Sequence, residues 1–240
     1  MGDGKATSRE QGIGMAQNKS SAVMQQRHEP TDSFDYFPTP LWAARALCVF
    51  LSRLYNLENI DVVEPACGQG HMARALAEYF RSVSAFDIQS LGYGQQADYL
   101  WPDGDFSTDW TITNPPFKIA DQFVLKALIQ SRMGCAMFVR SAFTEGIKRH
   151  NELFIPHRPQ FVLQFAERVI IHKGRVLDPS KKYFCEKSQK WKKPSTATSY
   201  SWVIWSKKHG NGRTEYDWIP PCRKELERPG DYDTAVLPLS

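Results

Sequence analysis

Short apolar runs that each stop at a polar residue, separated by stretches of helical periodicity, constrain this chain more than any other feature. Ile60-Asp61-Val62-Val63 reads as a buried strand that ends at Glu64-Pro65 and the turn Ala66-Cys67-Gly68-Gln69-Gly70, and Met72 to Phe80 is then helical. Val83 to Phe86 is a second strand, stopping at Asp87. A third short strand is expected near Asp98-Tyr99-Leu100, and a fourth from Trp110 to Thr113 that ends at Asn114. A helix from Ile119 to Arg132 and strands over Cys135–Val139 and Tyr200–Trp205 complete the pattern. Strands alternating with helices at this spacing predict an α/β fold with a mostly parallel twisted sheet, covered on both faces. Ligands of such sheets bind beyond the carboxyl ends of the strands, where Glu64, Asp87, Asp98 and Asn114 all fall.

The flanks read differently. Residues 1–32 are rich in Gly, Ser, Gln and Lys without periodicity, so a flexible leader is expected. Thr39-Pro40 then opens a helix with Leu41, Ala44, Leu47, Cys48 and Leu51 on one face, since Pro suits a first helical turn. The domain is expected to run over 33–206, and 207–240 to be a polar, Pro-rich C-terminal tail with no assigned role. With 240 residues and 42% hydrophobic composition, one domain of this size buries a sizeable core. No apolar run approaches the ~20 residues of a membrane span, and no secretory layout opens the chain, so a cytoplasmic protein without membrane partners is expected. The five cysteines are scattered and the six histidines dispersed, which predicts neither disulfides nor a metal site. Each histidine is read as a surface or capping residue.

Two stretches carry chemistry. Gly68 and Gly70 permit a sharp turn and a close backbone approach to a ligand, and Asp87 stands where a carboxylate accepts ribose hydroxyls. That turn and acid equally fit a dinucleotide-binding dehydrogenase, or a tight strand-to-helix connection with a capping Asp. Asn114-Pro115-Pro116-Phe117 is more specific. The lone pair of an exocyclic amine on adenine is delocalised into the ring, so a catalyst must favour the localised, pyramidal form. The Asn114 side-chain oxygen and the Pro115 carbonyl each accept one amino hydrogen in such a scheme, the prolines stiffen the loop, and Phe117 offers a face for a flipped base. The bland alternative makes Asn114 a helix N-cap and Phe117 a core anchor.

The order of these motifs resembles class I S-adenosylmethionine-dependent amino-methyltransferases, especially bacterial and phage DNA adenine-N6 methyltransferases, over roughly Phe34 to Trp205. The resemblance implies a Rossmann-like methyltransferase fold, S-adenosyl-L-methionine as cofactor, and direct methyl transfer to the N6 amino group of adenine in DNA. Asn114, Pro115, Pro116 and Phe117 match the family's catalytic tetrad position for position. Tyr36-Phe37-Pro38-Thr39-Pro40 matches an aromatic and Thr-Pro segment that touches the methionine part of the cofactor. A purely structural role for Phe37 and Thr39 at a helix start is the rival reading. The glycine loop from Glu64 through Ala66, Gly68 and Gly70 is similar to the family's, with Ala66-Cys67 as a departure. Asp87 corresponds to the ribose-binding acid, Ile88 packs on adenine, and Asp98-Tyr99-Leu100 corresponds to an element whose acid accepts from the cofactor's amino group.

The substrate polymer is read from charge. Net charge over the chain is +4, yet the segment from Glu167 to Lys193 holds nine Lys or Arg against three Asp or Glu and so carries +6. It interleaves Tyr183, Phe184 and Trp191 with Lys181, Lys182, Lys190, Lys192 and Lys193, a composition suited to phosphate contacts and base packing. A basic insertion over 167–195 is therefore the candidate target-recognition segment, with a solvated loop as its alternative. Methylation of adenine or guanine amino groups in RNA, or of protein glutamine, remains open beside DNA. Pro221-Cys222 has the form of a cytosine-methylating nucleophile but lies in the polar tail, so Cys222 is expected to be dispensable.

Overall fold

The computed structural model describes residue 1 and residues 36–185 and 188–232. Apart from Met1, the expected leader lies outside them.

Helix α1 (Leu41–Leu51) begins at Pro40, whose carbonyl accepts the Ala43 N–H at 2.9 Å. Strand β1 (Asp61–Glu64) leads through the glycine turn into α2 (His71–Leu76), then β2 (Ser82–Asp87) and β3 (Gln95–Gln96). Strand β4 (Thr108–Thr113), helix α3 (Ala120–Gln130), β5 (Ser131–Arg140) and β6 (Phe161–Phe165) follow. A hairpin of β7 (Tyr183–Cys185) and β8 (Lys190–Lys192) precedes β9 (Tyr200–Ser206), β10 (Glu215–Ile219) and the short helix α5 (Arg223–Leu226), α4 being the single turn Ile147–Arg149.

Eight strands form one sheet in the order β10-β6-β9-β5-β4-β1-β2-β3. Within this sheet, among the described residues, only β9 runs antiparallel to its neighbours. The chain moves outward from β1 to β3 and then crosses to β4 on the other side of β1, so the sheet switches direction between Glu64 and Asn114. In sheets of this kind the ligand crevice lies above that switch point. Alternation along β5 divides the core. Ala136 and Phe138 join Leu47, Leu51, Met72 and Leu76 on the face of α1 and α2, while Cys135, Met137 and Val139 join Ala120, Val124 and Ala127 of α3.

Two expectations are corrected here. The third strand is Gln95–Gln96, and Asp98-Tyr99-Leu100 forms a turn beyond it, because Tyr99 is held by packing against Phe106 and Phe123 instead of by strand pairing. The segment from 207 onward is not an inert tail. Its β10 pairs in parallel with β6 from Glu215↔Phe161 to Ile219↔Phe165, and Asp231 is buried against Arg45. That closure explains why α1 is buried on more than one face, with Trp42, Ala43 and Arg45 as inaccessible as Leu47.

Candidate functional site

The segment 36–39 lies across the crevice and touches both of its walls. The Asn114 side-chain N–H groups donate to the Phe37 carbonyl at 2.8 Å and to the Thr39 hydroxyl at 3.0 Å. Both amide hydrogens are thereby taken, and Oδ1, the acceptor, makes no protein hydrogen bond among the described residues. Pro115 is buried, and the Pro116 carbonyl accepts from the Ile119 N–H at 3.1 Å, which ties the loop to the start of α3. The ring of Phe117 lies 5.8 Å from that of Phe37. The Arg140 guanidinium, at the end of β5, stands 4.2 Å over the Phe117 ring.

The glycine turn forms the other wall. Gly68 and Gly70 have φ of +54° and +79°, a region that penalises any Cβ. A Cβ at Gly68 would come within 2.2 Å of the Tyr36 ring, and one at Gly70 within 2.3 Å of the Tyr93 ring. The Tyr36 hydroxyl accepts from the Gln69 backbone N–H at 3.2 Å and lies 3.2 Å from His71 Nδ1. Asp87 holds the turn from β2: one carboxylate oxygen accepts the Gly68 N–H at 2.8 Å and the other the Gln89 N–H at 2.9 Å. Segment 36–39 therefore joins the turn at Gly68 to the loop at Asn114.

Glu64, at the end of β1, is buried with one carboxylate oxygen lacking any hydrogen-bond partner among the described residues. Burial holds its carboxyl well above the usual range and the Asp87 charge adds to this, while the Ala73 backbone N–H and Arg74 pull the other way. Cys67 is a small turn residue whose thiol burial pushes up to about 12. Ala66 is half-buried in the same turn, and Ile88 is exposed beside Asp87.

Other expected positions are placed elsewhere. Asp98 is exposed and caps its own turn through the Leu100 N–H at 2.9 Å. Tyr99 is 2% exposed in a core cluster with Val63, Phe106 and Phe123, so its ring serves packing. Lys181, Lys182, Lys190, Lys192 and Lys193 are all exposed, and Lys181 pairs with Asp178 at 3.3 Å. The basic segment is anchored, not a free loop: Val169 and Ile171 enter the core and the Gly174 N–H donates to the Tyr36 carbonyl at 2.9 Å. Between the lysines of its hairpin, Phe184 and Trp191 meet edge to face at 5.8 Å and remain exposed. Cys222 is half-buried at the start of α5, packed on the core, with its thiol pushed up to about 11 by burial.

Sequence reasoning did not single out His71, Tyr93 or Arg140. His71 is 4% exposed, against the surface or capping role expected of it. Tyr93 sits between Gly92 and Gly94, both at positive φ, a pattern that could have flagged a shaped loop. Arg140 ends a strand as Asn114 does, and the same strand-end logic applied to β5 would have found it. Among the described residues, no three His, Cys, Asp or Glu gather as a metal site, and no helix is long and apolar enough to cross a membrane.

No protein-family model and no curated protein matches this sequence. Solved structures do match. A candidate RNA methyltransferase from Pyrococcus horikoshii aligns with a TM-score of 0.51 at 16% identity, over 77% of this chain and 95% of that one. The methyltransferase subunit of a type I restriction-modification system from Streptococcus thermophilus gives 0.55 at 13% identity, over 84% of this chain and 50% of its own, so this chain spans half of that subunit's length. With the strand order, these likenesses establish that the chain has the Rossmann-like α/β fold of the methyltransferases.

Proposed function

We propose that the chain transfers a methyl group from S-adenosyl-L-methionine to the exocyclic N6 amino group of adenine in DNA. The observation that carries this reading is the locked amide of Asn114, whose N–H groups are committed to Phe37 and Thr39. With those donors occupied, the side chain has only its acceptor left to offer, and a base amine presents the complementary hydrogens.

The residues of the turn suit the cofactor. Gly68 and Gly70 hold the turn at positive φ under the Tyr36 and Tyr93 rings, Asp87 offers a carboxylate at the edge of β2, and the buried Glu64 has one oxygen without a partner among the described residues. When bound, S-adenosylmethionine supplies an electrophilic methyl on a sulfonium centre. Asn114 Oδ1 and the Pro115 carbonyl each accept one amino hydrogen, which localises the nitrogen lone pair for attack. The cofactor would supply its methyl group to the nitrogen so held, and the amine would give up one proton to solvent. Phe117 supports the base by stacking, in the place where the Arg140 guanidinium now rests. DNA is favoured over other polymers by the Thr-Pro segment together with the compact basic insertion over 167–195. A type I modification subunit among the structural neighbours agrees with it.

The test offers methyl-labelled S-adenosylmethionine to duplex DNA, structured RNA and protein in parallel. Label recovered in DNA as N6-methyladenine is the expected outcome. Asn114→Ala should lower turnover about 100- to 1,000-fold, the range found when one preorganised polar contact to a reacting group is removed, and leave cofactor affinity within about twofold. Label in RNA or glutamine alone would replace the substrate, and normal turnover in Asn114→Ala would end the mechanism.

A further inference from the structure

On the same edge of the sheet, away from the crevice, a second cleft of about 320 Å³ opens where β6 ends and β9 begins. Tyr200, in its wall, is the Cα partner of Arg140, so the cleft begins one strand from the residue that covers Phe117. Its floor is Gln164, whose amide is fully used. The carbonyl oxygen accepts from the Ser141 and Ser201 hydroxyls at 2.7 and 2.8 Å, and the amine donates to the Phe165 and Tyr200 carbonyls. Glu167 is likewise spent on Arg223 at 3.0 Å. Two large side chains of the lining are more loosely held. Arg168 is exposed, with one long hydrogen bond of 3.3 Å to the Ala197 carbonyl. Trp218, from β10, is 60% exposed and has Tyr216 edge-on at 5.2 Å.

An exposed aromatic face and a guanidinium held by a single long hydrogen bond are the equipment for stacking one base and holding one phosphate. The volume lies near the lower end of the roughly 300–1,000 Å³ of small-ligand sites, which suits a single nucleotide and excludes a duplex. Strands β5 and β6 are two intervals apart, about 10 Å at the usual strand spacing. At about 3.4 Å per stacked nucleotide, that span corresponds to about three nucleotides along a strand.

We propose that this cleft is a subsite for an unpaired nucleotide flanking the target, with Trp218 stacking its base and Arg168 holding its phosphate. The proposal rests on the nucleic-acid reading above and adds that the substrate is engaged with its strand locally open.

The experiment measures binding of the full chain to fluorescein-labelled oligothymidylate and to an abasic phosphodiester chain of equal length. Wild type should prefer the oligothymidylate. Trp218→Ala should weaken oligothymidylate binding about 5- to 100-fold, the range of base–aromatic stacking, and leave the abasic chain unaffected. Trp218→Phe should restore most of the preference. Arg168→Gln should weaken both ligands and reduce the slope of log affinity against log salt by about 0.7. S-adenosylmethionine binding by each variant at the wild-type level separates removal of a binding group from failure to fold. Unchanged base preference in Trp218→Ala overturns the subsite while the nucleic-acid reading stands. A changed oligomeric state in that variant, with oligonucleotide binding intact, assigns Trp218 to protein contacts and also overturns it. Failure of wild type to bind either chain or duplex DNA removes the nucleic-acid reading and the subsite together.

Discussion

At the scale of single residues, the site holds polar groups in states that folding alone would not favour. Glu64 is buried with an oxygen unpaired, and burial raises its carboxyl pKa. The consequence for stability has a definite sign. Below the ordinary Glu value of about 4.3 the acid is protonated in both folded and unfolded chains, and nothing is lost. As pH rises through that value the unfolded chain releases its proton and the folded one keeps it, so stability falls with pH. Glu64→Gln removes the difference. It should melt with wild type near pH 4 and above it at pH 7, by about 2–4 °C for each kcal/mol relieved, in paired thermal scans. Equal melting temperatures at both pH values would show Glu64 to be ionised in the fold. Asn114 is the opposite case: its amide is satisfied on one side by Phe37 and Thr39, which fixes the acceptor on the other. Thr39 accepts from that amide at the start of α1, a contact compatible with both readings of the Thr-Pro segment.

Elements bring these residues together, and not all of them were legible beforehand. The strand ends at Glu64, Asp87 and Asn114 could be read because buried parallel strands leave apolar runs whose polar stops mark the ligand edge. Strand β10 could not, since Glu-Tyr-Asp-Trp-Ile is exposed over four of five residues and is held by backbone pairing to β6. Tyr99-Leu100 imitated a strand because its apolar character serves packing in a turn. Tyr93 meets the glycine turn, Arg140 meets Phe117 and His71 meets Tyr36 only through tertiary closure, which periodicity does not encode. The basic hairpin was legible in composition but not in attachment, the Gly174 to Tyr36 hydrogen bond being a backbone interaction. That attachment ties Gly174, ahead of the hairpin, to the segment that reaches Asn114. Changing Lys190, Lys192 and Lys193 together to Gln should lower affinity for duplex DNA and reduce its salt slope by up to about 0.9 for each phosphate no longer neutralised. Titrations at several salt concentrations would show it, and an unchanged slope would return the hairpin to the role of a solvated loop.

Across the whole molecule, residues near both ends of the described chain close on one buried cation. Arg45, 1% exposed on α1, donates to Asp231 at 2.5 and 2.9 Å, to Glu78 at 2.8 Å and to the Leu226 carbonyl at 2.7 Å. Arg228 reaches the same Glu78 at 2.8 Å. The network pins α5 and its flanks over α1, and α1 continues directly from the segment that holds Asn114. Charges taken out of water in this way add little net stability while paired, yet removal of one partner leaves the other uncompensated. Asp231→Ala should therefore destabilise the fold toward the lower end of about 3–5 kcal/mol, because Glu78 still faces the guanidinium. Urea denaturation would measure this. Replacing Arg45 by Met and Asp231 by Ala together should recover part of the loss, since no buried charge then lacks its partner. A single variant as stable as wild type would mean that the C-terminal segment rests on α1 without holding it. In that event the position of Thr39 against Asn114 would depend on the core beneath α1 alone.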